Sequence, residues 1–127
     1  MAPTYRTPTK MLLCIDDSHA ILEYEKALFE RSGFNVVTAA SPRQGLKLAE
    51  TSRFDAVLLD YHMPEMNGHQ VAVELRRIRP ETPVVMVTGS EIPDETHKLV
   101  DAVVPKTAAI TELLPTVTRL CSRSSSL

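Results

Sequence analysis

Three carboxylates, a hydroxyl and an ammonium stand at the ends of short apolar runs in this chain. Met11-Leu12-Leu13-Cys14-Ile15 leads into Asp16-Asp17, Val57-Leu58-Leu59 into Asp60, Val84-Val85-Met86-Val87 into Thr88-Gly89, and Ala102-Val103-Val104 into Pro105-Lys106. Burying one carboxylate is costly and burying two side by side costs more, so the first pair belongs where something attracts negative charge. Three carboxylates about 5 Å apart repel by roughly 3 kcal/mol per pair at an effective dielectric near 20, and that requires a cation. Oxygen ligands, with no cysteine or histidine pair at ligand spacing, select a hard ion, and Mg²⁺ suits a small site that keeps several waters. Asp16, Asp17 and Asp60 are the candidate metal ligands. Lys106 adds a fixed positive charge and Thr88 a hydroxyl donor, groups that stabilise the equatorial oxygens of a phosphoryl group in transfer. Asp60 is the best acceptor, because it stands alone while Asp16 and Asp17 are placed to share the metal.

These residues meet only if the runs lie side by side. The runs 11–15, 34–39, 56–59, 84–87 and 102–104 are too short for helices and rich in β-branched residues, so they predict five strands. Between them lie helical patterns. Residues 18–32 carry apolar residues at 21, 24 and 28 and a second column at 22 and 29, with Gly33 as the stop. Ser41-Pro42-Arg43-Gln44 reads as a capping box opening a helix to about Glu50. A third helix is expected over about 69–79, a short fourth after Pro93, and a fifth over about 108–120, with Pro115 near its first turn or bending it. Alternating βαβα order implies a doubly wound parallel α/β sheet covered on both faces. With strand order 2-1-3-4-5, the first and third strands are neighbours and all three carboxylates share one mouth, flanked by Thr88 and Lys106.

The chain has 127 residues and a formal net charge of −2, enough for one domain and a poor fit to coating nucleic acid or an anionic membrane. It shows no run of bilayer-spanning length and no secretory h-region, so the expectation is a cytoplasmic protein without membrane insertion. Residues 1–9 and 122–127 read as flexible tails around a domain at 10–121. Cys14 and Cys121 lack disulfide-framework or CxxC spacing and read as unpaired buried thiols.

The combination of Ile15-Asp16-Asp17, Leu59-Asp60-Tyr61-His62-Met63-Pro64-Glu65-Met66-Asn67-Gly68, Val87-Thr88-Gly89 and Pro105-Lys106 resembles the receiver domain of two-component response regulators, in a single-domain, chemotaxis-regulator-like form. The resemblance covers about residues 10–121 and implies a flavodoxin-like fold. It also implies that Asp60 accepts phosphate from a phosphohistidine on a sensor histidine kinase or phosphotransfer protein. Asp17, Asp60 and the backbone carbonyl of His62 would bind Mg²⁺ directly, Asp16 through water, while Lys106 contacts the phosphoryl oxygens and Thr88 turns inward to them. Output would go through altered binding to a downstream protein partner, from a monomer or weak dimer with no direct nucleic-acid contact. The first helix is the expected donor dock, through His19 and Leu22.

Ordinary readings compete with each residue: Asp17 as a helix cap, Asp60 as a strand end, Thr88 as a turn cap, Lys106 as a solvated lysine, and 63–68 as a turn. Taken together, at four strand ends in order, they are improbable. The four histidines default to the surface, with His62 singled out beside the acceptor. Two departures from the family pattern stand out: Val103 occupies the place of a switch aromatic, and Thr107 rather than proline follows Lys106, leaving the geometry of that peptide open. The 88–106 segment is also short, so the fourth helix should be short or irregular. The reading that follows is a phosphoacceptor whose output differs from an aromatic switch. The alternatives are a receiver-fold scaffold without regulated phosphorylation, and an Asp-nucleophile phosphohydrolase. The latter needs a substrate cap and an Asp-x-Asp pair that the chain lacks, so no enzyme beyond transfer to and hydrolysis from Asp60 is expected.

Overall fold

The computed structural model describes residues 9–124. Five strands, β1 (Met11–Ile15), β2 (Asn35–Ala39), β3 (Ala56–Asp60), β4 (Val84–Thr88) and β5 (Ala102–Pro105), form one parallel sheet in the order β2-β1-β3-β4-β5. All four ladders are parallel, with Cys14 opposite Leu58, Asp60 opposite Val87 and Thr88 opposite Pro105. β3 and β4 are buried along their whole length, which is why their sequences are continuously apolar instead of alternating.

The helices are α1 (His19–Arg31), α2 (Pro42–Thr51), α3 (Gly68–Ile78), α4 (Asp94–His97) and α5 (Ala109–Ser124). Side chains alternate across the pleat. Leu12, Cys14, Leu58, Val85 and Val87 pack against Leu22 and Phe29 of α1 and Leu113 and Val117 of α5. Leu13, Ile15, Val57, Leu59 and Met86 meet Ala49 of α2 and Val71, Ala72 and Leu75 of α3 on the other face. The expected doubly wound, flavodoxin-like architecture is therefore present, with its fourth helix a single turn.

Local chemistry sets the boundaries. Gly33, at φ 93°, closes α1: its N–H donates to Glu30 O and that of Phe34 to Phe29 O, both at 3.0 Å. At α2, Ser41 Oγ accepts from Gln44 N, but the Gln44 side chain accepts from Ala40 N rather than Ser41 N, so the expected reciprocal box is shifted by one residue. The complete box lies at α3, where Asn67 and Gln70 cap each other's backbone within the segment read as a turn. A 3-10 turn, Lys106–Ala108, precedes α5, which carries Pro115 as its seventh residue and runs three residues past 121. Residues 1–8 and 125–127 of the expected tails lie outside the described residues. The described backbone contains no cis peptide, so Lys106–Thr107 is trans. No helix among the described residues is long and apolar enough to cross a membrane.

Candidate functional site

The carboxyl ends of β1, β3, β4 and β5 meet at one edge of the sheet, where the strand order reverses between β1 and β3. Asp16 follows β1. Its N–H donates to Ala39 O at 3.1 Å and its Oδ1 accepts from Ser18 N at 2.9 Å, so the carboxylate is held by the start of α1. Asp60 ends β3 and is as buried as Asp16, while Asp17 is exposed. One carboxylate oxygen from each of the three lies within 4.8 Å of the other two. The chain thus brings together the three acids that the sequence placed 43 and 44 residues apart (60 − 17 and 60 − 16).

Lys106, from the 3-10 turn after β5, places Nζ 3.2 Å from Asp60 Oδ1. This ammonium is the one partner the side chains offer Oδ1, which has no other hydrogen-bond donor among the described residues. A buried carboxylate oxygen beside two further acids, with one ammonium to share among them, is costly unless more positive charge faces it. Burial pushes the Asp16 carboxyl up to about 6, with the charges of Asp60 and Asp17 adding and the Ser18 N–H and Lys106 opposing. Burial likewise raises Asp60, against the contact and charge of Lys106, and Asp17 adds to the rise. One lysine therefore leaves the cluster short of positive charge. The donor set of hard carboxylate oxygens, gathered within 4.8 Å and short of positive charge, fits a small divalent cation such as Mg²⁺.

Thr88 ends β4, buried. Its hydroxyl donates to Ser90 O and accepts from Ser90 N, both at 3.1 Å, so its proton is committed to its own loop. His62, two residues past Asp60, is exposed, and its Nε2 shares a 2.8 Å hydrogen bond with Ser90 Oγ. Gly68 opens α3 hard against the acid end of β3. A Cβ there would lie 2.8 Å from both Asp60 O and Tyr61 Cα, so only glycine lets the helix begin so close. A cavity of about 560 Å³, whose lining includes Thr88, Ile92, His97, Val103 and Lys106, adjoins this mouth.

Two residues differ from the sequence reading. Leu22, expected as a donor contact, is 5 % exposed and packs into the core, leaving exposed His19 on that helix. Glu25, which the apolar columns passed over, points inward. It lines a cavity of about 200 Å³ between α1 and α5 together with Tyr24, Lys106 and Ile110. Burial first, then the charge of Asp16, pushes Glu25 up to about 8 against a hydrogen bond from the Cys14 thiol. The spacing 22, 25, 29 was the only signal, and a glutamate at the middle position hid it.

A doubly wound parallel sheet thus carries an acid cluster, a threonine and a lysine at its switch point. The response regulator receiver domain model matches residues 12–117, and the chain belongs to that family. It is 34 % identical over 82 residues to the alkaline phosphatase synthesis transcriptional regulatory protein PhoP of Bacillus subtilis, covering 65 % of this chain and 34 % of PhoP. It is 30 % identical over 118 residues to the response regulator MprA of Mycolicibacterium vanbaalenii, covering 90 % of this chain and 51 % of MprA. The chain thus spans between about a third and a half of the length of these two relatives. Among solved structures, a CheY-like receiver domain protein of Methanospirillum hungatei superposes with a TM-score of 0.84 at 28 % identity, over 91 % of this chain and 96 % of that one. The Thermotoga maritima response regulator TrrA in complex with Mg²⁺-BeF gives 0.83 at 28 %, over 88 % and 99 %.

Proposed function

We propose that this receiver domain accepts a phosphoryl group on Asp60 from a phosphohistidine of a sensor histidine kinase or phosphotransfer protein. The observation that carries this is Asp60 itself: a buried carboxylate whose Oδ1 faces a single ammonium at 3.2 Å and lies in a cluster with two further acids within 4.8 Å. An Asp60 oxygen attacks phosphorus, the P–N bond breaks, and its electron pair leaves with the imidazole, which takes up a proton. Asp16, Asp17, Asp60 and the His62 carbonyl would hold Mg²⁺, which when bound neutralises charge on the phosphoryl oxygens. Lys106 holds its ammonium on the same oxygens, and Thr88 donates its hydroxyl to one of them after releasing Ser90. Water attack on phosphorus breaks the P–O bond to Asp60, releasing inorganic phosphate and returning Asp60 to the free carboxylate. The rearranged loop after β4 alters binding to a downstream protein partner, without the rotating aromatic that Val103 cannot supply. A buried cluster of three acids with one ammonium among them does not suit a scaffold that has no use for phosphorylation.

Incubation with acetyl phosphate and Mg²⁺ tests this by intact mass. The wild-type chain gains one hydroxylamine-sensitive phosphoryl group and Asp60→Asn gains none. No gain on the wild type, or a gain that survives the substitution, overturns the assignment.

A further inference from the structure

A carboxyl group stands where the apolar packing between α1 and α5 leaves a hole. Glu25 is buried and lines a cavity of about 200 Å³. The cavity wall runs from Val87 and Leu113, both buried, to Tyr24 and Ile110, two of the three large apolar side chains exposed among the described residues. An ionised carboxylate offers about four acceptor sites, and the Cys14 thiol fills one of them as a weak donor. No lysine, arginine or histidine pairs with Glu25 among the described residues. Lys106 lines the same cavity, but its Nζ is held 3.2 Å from Asp60 Oδ1. A buried acid with space beside it and no cation is half of an ion pair.

We propose that the cavity between α1 and α5 is a binding site for a small organic cation, an amidine, guanidine or primary amine carried on a single ring or short chain, with Glu25 as its anionic partner. The sign of the ligand follows from the groups that face Glu25. Asp16 and Asp60 act on it as like charges, the lysine in the lining is committed to Asp60, and α5 contributes Ala109, Ile110 and Leu113, none of them charged. A cation is attracted there and an anion is not. Its size follows from the volume, which is below the roughly 300–1,000 Å³ of drug-sized ligand sites. A planar fork of N–H donors matches the two carboxylate oxygens, and the ring or chain covers Val87 and Leu113. Burial keeps a proton on Glu25 up to about 8, so binding at neutral pH releases that proton. The site does not rest on the phosphoacceptor reading.

Benzamidine titrated into the full chain, followed by calorimetry and backbone amide resonances, tests this. One molecule should bind and shift the amides of residues 21–25 and 109–113. Glu25→Gln, which keeps the volume and loses the charge, should weaken binding at least tenfold, the range of one hydrogen bond to a charged group. Ala109→Leu, which keeps the carboxyl and fills the cavity, should weaken it as well. Benzyl alcohol, a neutral ring of similar size, should bind at least tenfold more weakly than benzamidine. Between pH 7 and 9 the affinity of the wild type should rise about tenfold as the Glu25 carboxyl ionises near 8, and Glu25→Gln should show no such rise. No saturable binding, unchanged binding by Glu25→Gln or Ala109→Leu, benzyl alcohol binding as tightly as benzamidine, or shifts confined to the acid mouth overturns the proposal. Labelling of Asp60 by acetyl phosphate is a separate measurement, so the two readings fail independently.

Discussion

Replacing Glu25 by glutamine should remove a pH-dependent weakness from the fold. Glu25 is 3 % exposed, packed against Cys14 of β1, and its carboxyl is pushed from an ordinary 4.5 up to about 8. The groups acting on it are Asp16 and Asp60, which raise it, and Lys106 and the Cys14 thiol, which lower it. Between pH 4.5 and 8 the folded chain keeps a proton that the unfolded chain releases, so stability is greatest at the acid end of that window and falls as pH rises. The slope is about 1 kcal/mol per pH unit, and from pH 5 to 8 the loss is on the order of 3 kcal/mol, a large share of the 5–15 kcal/mol typical of a domain. Glu25→Gln keeps the side-chain volume and never ionises. Asp16, which titrates near 6, acts on both proteins alike and cancels in the comparison. Urea unfolding of metal-free protein at pH 6, 7, 8 and 9 should show the variant's advantage growing by about 1 kcal/mol per unit up to 8 and then levelling. Parallel stability curves for the two proteins would refute the reasoning.

Gly68→Ala forces a Cβ into Asp60 O and Tyr61 Cα, so it should cost about 1–3 kcal/mol in thermal unfolding and slow labelling by acetyl phosphate; normal labelling would show that the acceptor peptide can shift. Arg76→Ala removes donors to the carbonyls of Leu99, Pro80 and Thr82 and leaves Asp101 without its cation, so denaturant unfolding should show a loss of about 2 kcal/mol or more. Lys106→Met takes away the charge 3.2 Å from Asp60, which should tighten Mg²⁺ binding severalfold in calorimetry while reducing labelling by acetyl phosphate. Unchanged Mg²⁺ affinity in that variant would show that the ammonium plays no part in the charge balance.

The site was legible because each of its groups follows an apolar run too short to be a helix. Once Val57-Leu58-Leu59 is read as a strand, Asp60 must lie at its end, and the strand order does the rest. What lay hidden depends on contacts that no local pattern marks. His62 and Ser90 are 28 residues apart and His69 and Thr96 are 27 apart, so His69, which read as a surface histidine, is bonded from α3 to α4, and His62, singled out beside the acceptor, is bonded to Ser90. Leu22 read as a docking residue because the family resemblance makes the first helix the donor dock, and the packed helix turns it inward. The stripe facing the sheet is 22, 25 and 29, and Tyr24 of the other column turns outward. A hydropathy pattern places a glutamate on the solvent side, and only the packed helix reveals that Glu25 is not there. At Asn67 the turn-forming residues also compose a capping box, because Asn-x-x-Gln before an apolar stripe serves both purposes.

β3 is the middle strand of five, laddered on both sides and buried from end to end. It therefore provides the molecule with a fixed origin. Displacements of the rim loops measured after superposing structures on its backbone would record the motion of those loops alone. Probes paired across the rim would record two movements that cannot be separated.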